Sequence, residues 1–431
     1  MGIFPVIRHK YLFDLHRCIH LKDNEVQSES KRILGLAVNL NKRRPLMLAE
    51  AKVRTQKLQA RMKEEGIQKA IFTDESSMAY LAGFWGYLGI EFGRPSMLVV
   101  DADDAPVVIT PLMESEMVGE MTWVEDIRVW EDIGQHTWGR ALSGALGNNL
   151  SEIWIEKGTI PAMVRNHLDE VYPGVALKDI TSILGAMRII KTPFEIGVMK
   201  EAGQIAGAMM AAAHDSLCEG RQEFESALAV IDAGSRKAAD FLTAKGWDRF
   251  VSPMVHNLQI MQSGRDASMV HRRANVKTLE KFDPVYFCFC NMAQFKQYKL
   301  GFDRMFHVGD VKDEDRKVQL AAIEAQQAAI STIRPGVLAE DVAAAANEVY
   351  LERGYETGYR TGRSIGVAYL EAPELKEGDK TVLQPGMTFA VDGGISVDGV
   401  TAGRIGDSIV ITETGVDYIT QYPREILLSK E

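Results

Sequence analysis

The chain has 431 residues, of which 46% are hydrophobic and 25% are charged, and its formal net charge is −10. This length and composition describe an ordinary globular protein of about two domains with ~150–250 residues each. The negative charge argues against a nucleic-acid-binding protein, because neutralising phosphates requires clustered Lys and Arg.

The cysteines and the hydropathy bear on where the protein works. Cys18 and Cys218 stand alone, and Cys288 and Cys290 form one Cys-x-Cys, which is not a disulfide framework. No apolar run reaches ~18 residues, so we expect no membrane span. Residues 1–45 lack the apolar core of a secretory signal. They are either a poorly ordered, locally helical extension or an arm that packs on a partner subunit, and we expect a cytoplasmic protein.

The pattern from residue 46 to residue 185 predicts an α/β domain. A charged amphipathic helix is expected at residues 48–65, ahead of strands near 70–72, 96–100, 105–109 and 153–155. Strands that alternate with helices are typical of α/β architecture.

The remaining residues, 186–431, predict an α+β domain. Helices are expected at residues 193–217, 222–245, 313–333 and 339–353. A β-rich block separates the first two helices from the last two, and strands near 387–391 and 407–411 close the chain. Helices segregated from an antiparallel sheet are the mark of this class.

Two turns in the second domain carry a family resemblance. Leu383-Gln384-Pro385-Gly386-Met387 and Gly403-Arg404-Ile405-Gly406-Asp407 resemble the LEPGM and RIED segments of the methionine aminopeptidase/prolidase/creatinase superfamily. The resemblance runs from about residue 188 to the end, and we identify the chain as a creatinase-like member. It implies an α/β creatinase-like N-terminal domain followed by an α+β pita-bread catalytic domain.

The resemblance also implies that the metal ligands of this superfamily are lost. Members that bind two metal ions use two Asp, one His and two Glu; the matching positions here are Cys288, Gly301, Arg363, Asp392 and Gly406. Hard divalent ions require carboxylate or imidazole ligands, and Gly offers no side chain. We therefore expect no metal and no cofactor. The interval between the first two positions is two residues longer than usual, which predicts a bulge or a longer hairpin.

One histidine is the predicted acid–base catalyst. Ser263-Gly264 followed by His271 is similar to the creatinase segment whose His moves a proton between water and the departing nitrogen. Imidazole suits this role because its reference pKa lies near neutrality. Arg272 and Arg273 follow directly, so His271 could instead belong to a solvated strand end.

The resemblance assigns three acidic residues to the cationic part of a substrate. Asp303 stands where creatinase has a Glu that holds a guanidinium group, Asp392 stands where creatinase retains a metal-type Glu, and Glu371 is a further candidate. The alternatives are a local ion pair of Asp303 with Arg304 or with a neighbouring base at the strand edge, and a solvated strand-end position for Asp392.

Two further groups of residues are assigned to the substrate carboxylate. In creatinase, the Phe and Arg matching Phe92 and Arg94 of Phe92-Gly93-Arg94-Pro95 reach the partner's active site, which implies a homodimer; the alternative is a solvated loop Arg. Arg363 is a second handle for a carboxylate, or else the structural partner of Asp303 or Asp392. Arg404 is another candidate for binding substrate. Creatinase keeps His at the position of Arg363, which puts creatine itself in doubt.

The Cys-x-Cys pair has a simpler interpretation. Alternation along a strand predicts that Cys288 and Cys290 point to opposite faces, so zinc binding is disfavoured. Cys288 then faces the old metal cavity as a filler or a candidate nucleophile, and we expect buried, inert thiols.

Together these features predict a metal-independent hydrolase that cleaves a C–N bond in a small zwitterionic or anionic compound, such as a guanidino acid or an ectoine-like osmolyte. Its partners would be this substrate and a second copy of the chain. Three alternatives remain open: a lyase acting on dimethylsulfoniopropionate, a metal-dependent Xaa-Pro peptidase with unusual ligands, and an inactive pita-bread binding protein.

Overall fold

The computed structural model describes residues 43–430 except 87–91, 136, 246–248, 256–259, 270, 291–293 and 359. Residues 1–42 of the predicted extension therefore lie outside the described residues. The helices are α1 (Arg43–Glu65), α2 (Glu75–Ala82), α3 (Ser115–Met121), α4 (Trp138–Leu146), α5 (Ala162–Val171), α6 (Thr181–Arg188), α7 (Pro193–Ser216), α8 (Glu223–Lys245), α9 (Asp313–Thr332) and α10 (Ala339–Glu352).

The strands fall into an N-terminal and a C-terminal group. The N-terminal strands are β1 (Lys69–Phe72), β2 (Met97–Asp101), β3 (Val107–Pro111), β4 (Asp126–Trp130), β5 (Glu152–Ile155) and β6 (Ala176–Asp179). The C-terminal strands are β7 (Ile260–Ser263), β8 (Pro284–Cys288), β9 (Gln294–Phe295), β10 (Tyr298–Lys299), β11 (Asp303–His307), β12 (Gly362–Ser364), β13 (Glu371–Leu375), β14 (Thr388–Val397), β15 (Thr401–Ile411), β16 (Val416–Tyr418) and β17 (Leu427–Leu428).

The N-terminal domain is built on a mixed six-stranded sheet in the order β4-β3-β2-β1-β5-β6. β2 pairs antiparallel with β1 and β3, whereas the outer pairs β3–β4, β1–β5 and β5–β6 are parallel. One hydrophobic cluster of this domain contains four buried residues of the sheet: Ile71, Val99, Ile109 and Ile153. The α/β prediction for this region is confirmed.

The C-terminal domain is built on a sheet in the order β13-β12-β14-β15-β11-β8-β7, with β16 beside β15 and β17 beside β11. Its pairs are antiparallel except β11–β17. Strands β14 and β15 are longer than predicted, because Gly393 and Gly394 stay in register with Ile405 and Arg404 instead of ending the strand. The α+β prediction is confirmed.

Helix α7 begins where the sequence predicts. The Thr192 hydroxyl accepts a hydrogen bond from the Glu195 amide, and the Glu195 carboxylate accepts one from the Thr192 amide at 2.8 Å, which is a capping box. Glu195 also binds Arg54 of α1 at 3.2 Å, so this helix start joins the two domains. The predicted boundary at residues 185/186 falls within α6 and stays a prediction. No helix in the described part of the chain is long and apolar enough to cross a membrane.

Candidate active site

One face of the C-terminal sheet brings two carboxylates together. Asp303 on β11 lies opposite Cys288 on β8 and opposite Gly406 on β15, and Gly406 lies opposite Asp392 on β14. Side chains that are directly opposite across strands share a face. Asp303 and Asp392 therefore flank Gly406 from its two sides.

Arg363 adds a buried cation to this face. It pairs across β12 and β14 with Ala390, two residues before Asp392. Its guanidinium forms an ion pair with Asp392, donates a hydrogen bond to the Tyr369 hydroxyl, and lies 4.6 Å from the centre of the Tyr369 ring. Burial alone would lower the pKa of Arg363, but Asp392 and the neighbouring thiols outweigh it and the pKa is raised. Of the two partners considered for Arg363, the structure selects Asp392.

Two glycines make room for these charged groups. A Cβ on Gly406 would touch one carboxylate oxygen of Asp303 and lie 2.7 Å from Oδ1 of Asp392. A Cβ on Gly301 would lie 2.6 Å from Cβ of Ala390 and 2.9 Å from Nη2 of Arg363. Since contacts under 3.0 Å are repulsive, other atoms already fill the space that a side chain at either position would need.

Asp303 is buried and does not pair with its neighbour in sequence. The Arg304 guanidinium lies on the opposite side of β11, where it binds Asp407 at 3.0 Å, so the alternative of an Asp303–Arg304 ion pair is wrong. Burial, and next the charges of Asp392 and Cys290, raise the pKa of Asp303 well above its usual value.

The cluster holds unsatisfied polar atoms. Within the described residues, Oδ1 of Asp392 and Nε of Arg363 are buried and make no hydrogen bond. Most buried polar atoms of native proteins have a partner. An acceptor and a donor are therefore left for a ligand beside the Asp303 carboxyl group.

The two cysteines lie together, so the prediction of opposite faces is wrong. Sγ of Cys288 and Sγ of Cys290 are 2.7 Å apart, because β8 ends at Cys288 and the chain beyond it no longer alternates. Hydrogen bonding to Cys290 and burial raise the pKa of Cys288. The pKa of Cys290 is lowered, chiefly by the hydrogen bond from Cys288 and then by the positive charge of Arg363. With Asp303, these thiols form a group whose potential ligand atoms lie within 4.8 Å.

His271 lies apart from these contacts. It is exposed, after a 3-10 turn (Gly264–Ser268) that follows β7. Its neighbour Arg272 binds the buried Glu223 carboxylate at 2.6 Å. No hydrogen bond or ion pair within the described ranges joins His271 to Asp303 or Asp392. Its catalytic role stays a prediction.

Glu371 and Arg404 already have partners. Glu371 accepts a hydrogen bond from Lys191 at 2.8 Å, and both side chains are buried. Arg404 donates to the Ser396 hydroxyl and lies 5.7 Å from the Tyr286 ring centre, on the face that carries Asp303. Substrate roles for Glu371 and Arg404 stay predictions.

The Phe-Gly-Arg-Pro segment lies on the N-terminal domain. Phe92 is 67% exposed, and Arg94 forms an ion pair with Asp132. A cavity of about 240 Å³ adjoins this segment. Its lining includes Met78, Phe84, Trp85, Gly93, Pro95 and Met163. Exposure leaves Phe92 available to another subunit, but a role of Phe92 and Arg94 in a partner's site stays a prediction.

Sequence reasoning missed two residues of this region. Tyr369 contacts Arg363, and Lys191 donates to both Glu371 and the Ser364 hydroxyl. Lys191 lies in the segment that opens the family resemblance, which was a usable signal. Nothing in the sequence pattern marks Tyr369.

Comparisons with known proteins agree with this architecture. Residues 197–413 match the family described as metallopeptidase family M24, and residues 54–190 match the creatinase/prolidase N-terminal domain. Agropine synthesis cyclase of Rhizobium rhizogenes is 27% identical over 394 residues, covering 86% of this chain and 95% of that protein. The Xaa-Pro dipeptidase of Pyrococcus furiosus is 25% identical over 388 residues, covering 87% and 100%.

Solved structures show the same fold. The prolidase from Pyrococcus horikoshii OT3 superposes with a TM-score of 0.74 at 21% identity, covering 87% of this chain and 99% of that one. At this level of sequence identity, the similarity supports only the fold.

Proposed function

The chain belongs to the metallopeptidase family M24, and from that premise we propose a hydrolase that works without a metal ion. Its reaction is cleavage of a C–N bond in a small nitrogen compound that carries a carboxylate. The observation that carries the proposal is the packing over the two glycines. Charged side chains, joined by Ala390 beside Gly301, fill both spaces, and within the described residues Oδ1 of Asp392 still lacks a hydrogen-bond donor.

The pair of divalent ions that the family resemblance implies does not fit the residues present. Such ions need several carboxylate or imidazole ligands around each metal. Here Gly301 and Gly406 offer no side chain, and Asp392 already forms an ion pair with Arg363. The Arg363 guanidinium therefore lies among the side chains that would have to bind the metal. The guanidinium at this place repels a metal ion, and it supplies part of the positive charge that a metal ion would otherwise provide.

The cluster suits a zwitterionic substrate. A guanidinium, amidinium or ammonium group would donate to the free Oδ1 of Asp392 and to Asp303, and its charge would favour loss of the Asp303 proton. The substrate carboxylate would be held by a guanidinium fork. Arg363 and Arg404 are the candidates within the subunit, and Arg94 of a second copy, with Phe92 covering the ligand, is the third.

In the proposed mechanism His271 removes a proton from water, and the resulting hydroxide adds to the carbon of the scissile C–N bond. That bond then breaks, and the protonated imidazole returns its proton to the departing nitrogen. Asp303 and Asp392 hold the cationic part of the substrate while charge develops next to it. A second subunit completes the site.

A second candidate is formation or opening of a ring. Agropine synthesis cyclase, by its name, forms a cyclic product, and it is similar to this chain over most of both lengths. Ring closure with loss of water is the reverse of hydrolytic ring opening, so one acid–base set serves both. Cyclic substrates such as ectoine therefore belong in the first assays.

The test is a substrate panel with metal-stripped protein. The full chain is dialysed against a chelator, its metal content is measured, and it is incubated with creatine, guanidino acids, ectoine, dimethylsulfoniopropionate and Xaa-Pro dipeptides. We expect turnover of a non-peptide substrate without added metal. Turnover of Xaa-Pro dipeptides only after metal is added would identify a metallopeptidase instead, and dimethylsulfoniopropionate cleavage would identify the lyase.

A His271→Ala variant tests the mechanism itself. Loss of a general acid–base should lower kcat by roughly 10²–10⁴-fold with the fold intact. The exposed neighbour Arg273 provides a matched control, since Arg273→Ala should keep near-normal activity. Full activity of His271→Ala would refute the mechanism.

A further inference from the structure

We propose that Cys288 and Cys290 are a reversible oxidation site, a dithiol that closes to a disulfide beside the central charged cluster. This modification is separate from the proposed hydrolase reaction and does not depend on it. The residues that carry it are the two thiols, the Arg363 guanidinium and the backbone between the cysteines.

The first argument is geometric. The two sulfur atoms are 2.7 Å apart and belong to residues separated only by Phe289. The Phe289 amide donates to the Phe302 carbonyl at 2.8 Å, which fixes the intervening backbone against the residue that precedes β11. Bond formation therefore needs a small movement of two side chains rather than a rearrangement of the sheet.

The second argument concerns which sulfur reacts. Cys288 is buried, whereas Cys290 is half-buried and its Sγ lies 3.4 Å from Nη2 of Arg363. A nearby guanidinium stabilises a thiolate, and the thiolate is the reactive form of cysteine. Cys290 is thus the sulfur that meets an oxidant first, and Cys288 is placed behind it as the resolving thiol.

The chemistry balances with a peroxide as the oxidant. The Cys290 thiolate attacks one oxygen of hydrogen peroxide, breaking the O–O bond to give a sulfenic acid and hydroxide. The Cys288 sulfur then attacks Sγ of Cys290, its proton is lost, and hydroxide leaves the sulfenic acid, so that water is the second product. Both sulfurs are oxidised, the peroxide is reduced, and an external thiol reverses the change.

A soft metal ion is the competing interpretation, and the geometry disfavours it. Two thiolates on a tetrahedral zinc ion with bonds of ~2.3 Å lie roughly 3.8 Å apart, so zinc would require these sulfurs to move apart from their separation of 2.7 Å. The Arg363 guanidinium also occupies the neighbourhood of Cys290, where a second cation would be repelled.

Oxidation is expected to change the charge that Arg363 faces. The disulfide removes the Cys290 thiolate, leaving Asp392 as the charged partner of Arg363 within the described residues. Binding of an anion at Arg363 should then strengthen, so the redox state would tune the same cluster.

The experiment uses the full chain carrying Cys18→Ser and Cys218→Ser, so that only the pair remains. The protein is treated with a small excess of hydrogen peroxide, alkylated, digested and analysed by mass spectrometry, with and without later reduction by dithiothreitol. We expect the peptide that contains both cysteines to lose two hydrogen atoms and to resist alkylation until dithiothreitol is added. Far-UV circular dichroism checks that the fold is kept.

Single variants assign the order of events. With Cys288→Ser, peroxide should leave a sulfenic acid on Cys290 that dimedone traps. With Cys290→Ser, oxidation of Cys288 should be at least about tenfold slower, because its thiolate is not stabilised. Thiols that stay alkylatable after peroxide, or that pass to sulfinic acids without a disulfide, would overturn the proposal. So would one equivalent of zinc that co-purifies and protects both thiols, since that result identifies a metal site.

Discussion

Adding a single methyl group at position 406 should disturb both the stability and the activity of this protein. In Gly406→Ala the new Cβ would overlap a carboxylate oxygen of Asp303 and come within 2.7 Å of Oδ1 of Asp392. Asp303 lies in the buried sheet, and the Asp392 side chain, although 33% exposed, is held in place by its ion pair with Arg363. The three strands that carry these residues must therefore separate, or the carboxylates must leave their rotamers.

The size of the effect follows from overpacking. Inserting one methylene-sized group into a packed interior costs about 1–3 kcal/mol, and the disturbed carboxylates should lower kcat/KM for any substrate they bind. Urea unfolding followed by far-UV circular dichroism measures the first effect, and steady-state kinetics measures the second. Gly158→Ala is the matched control, since among the described residues its Cβ would meet no atom within 4 Å. This substitution should change the unfolding free energy by less than about 0.5 kcal/mol.

A double-mutant cycle identifies the source of the cost. If the Asp303 carboxylate is what the new methyl meets, Asp303→Ala should relieve it. The double variant should then be more stable than the sum of the two single changes by about 0.5–3 kcal/mol. A Gly406→Ala protein that unfolds like the Gly158→Ala control and keeps wild-type kinetics would refute the packing described over this glycine.

Three further outcomes are expected. Arg363→Lys should raise KM for a carboxylate substrate roughly ten- to a hundredfold in steady-state kinetics, because an ammonium cannot reproduce the guanidinium fork; an unchanged KM would exclude Arg363 from binding. Asp303→Asn should raise the unfolding free energy at pH 7 and lose that gain as the pH falls toward 3.8, since the folded-state pKa of Asp303 is raised; no gain at pH 7 in urea unfolding would contradict this. Burial lowers the pKa of His307 from 6.5 to about 4. The unfolding free energy of the wild type should therefore decrease by up to roughly 3 kcal/mol as the pH falls from 6.5 to 4. In urea unfolding, His307→Met should remove that dependence.

The fold could be predicted from the sequence because its signals are local. Thr192, Pro193 and Glu195 mark the start of α7 with residues whose side chains cap a helix. The extra residues between the first two metal-ligand positions predicted a bulge or a longer hairpin, and the β9–β10 pair (Phe295 with Tyr298) lies within that connection. Strand ends were less accurate, because pairing with β15 overrides the weak strand preference of Gly393 and Gly394.

The site could be predicted only in part. Asp303, Asp392 and Arg363 were predicted because they match metal-ligand or substrate-binding positions of the family. The structure places all three on one face of the sheet. The contact between Cys288 and Cys290 was mispredicted, since alternation holds only while a chain remains in a strand. His271 shows a different limit: a short motif indicates a type of residue, but not its distance from the groups with which it must act.

The most direct test of a metal-free catalytic cluster is one measurement of turnover against metal content. Wild-type protein is stripped with a chelator, its residual metal is quantified, and C–N bond cleavage is measured in the same sample with the best substrate of the panel. We predict full turnover at far less than one metal ion per chain and no gain when divalent ions are restored. Activity that vanishes with the metal and returns in proportion to added ion would contradict the proposal that Arg363, Asp303 and Asp392 have replaced the metal site.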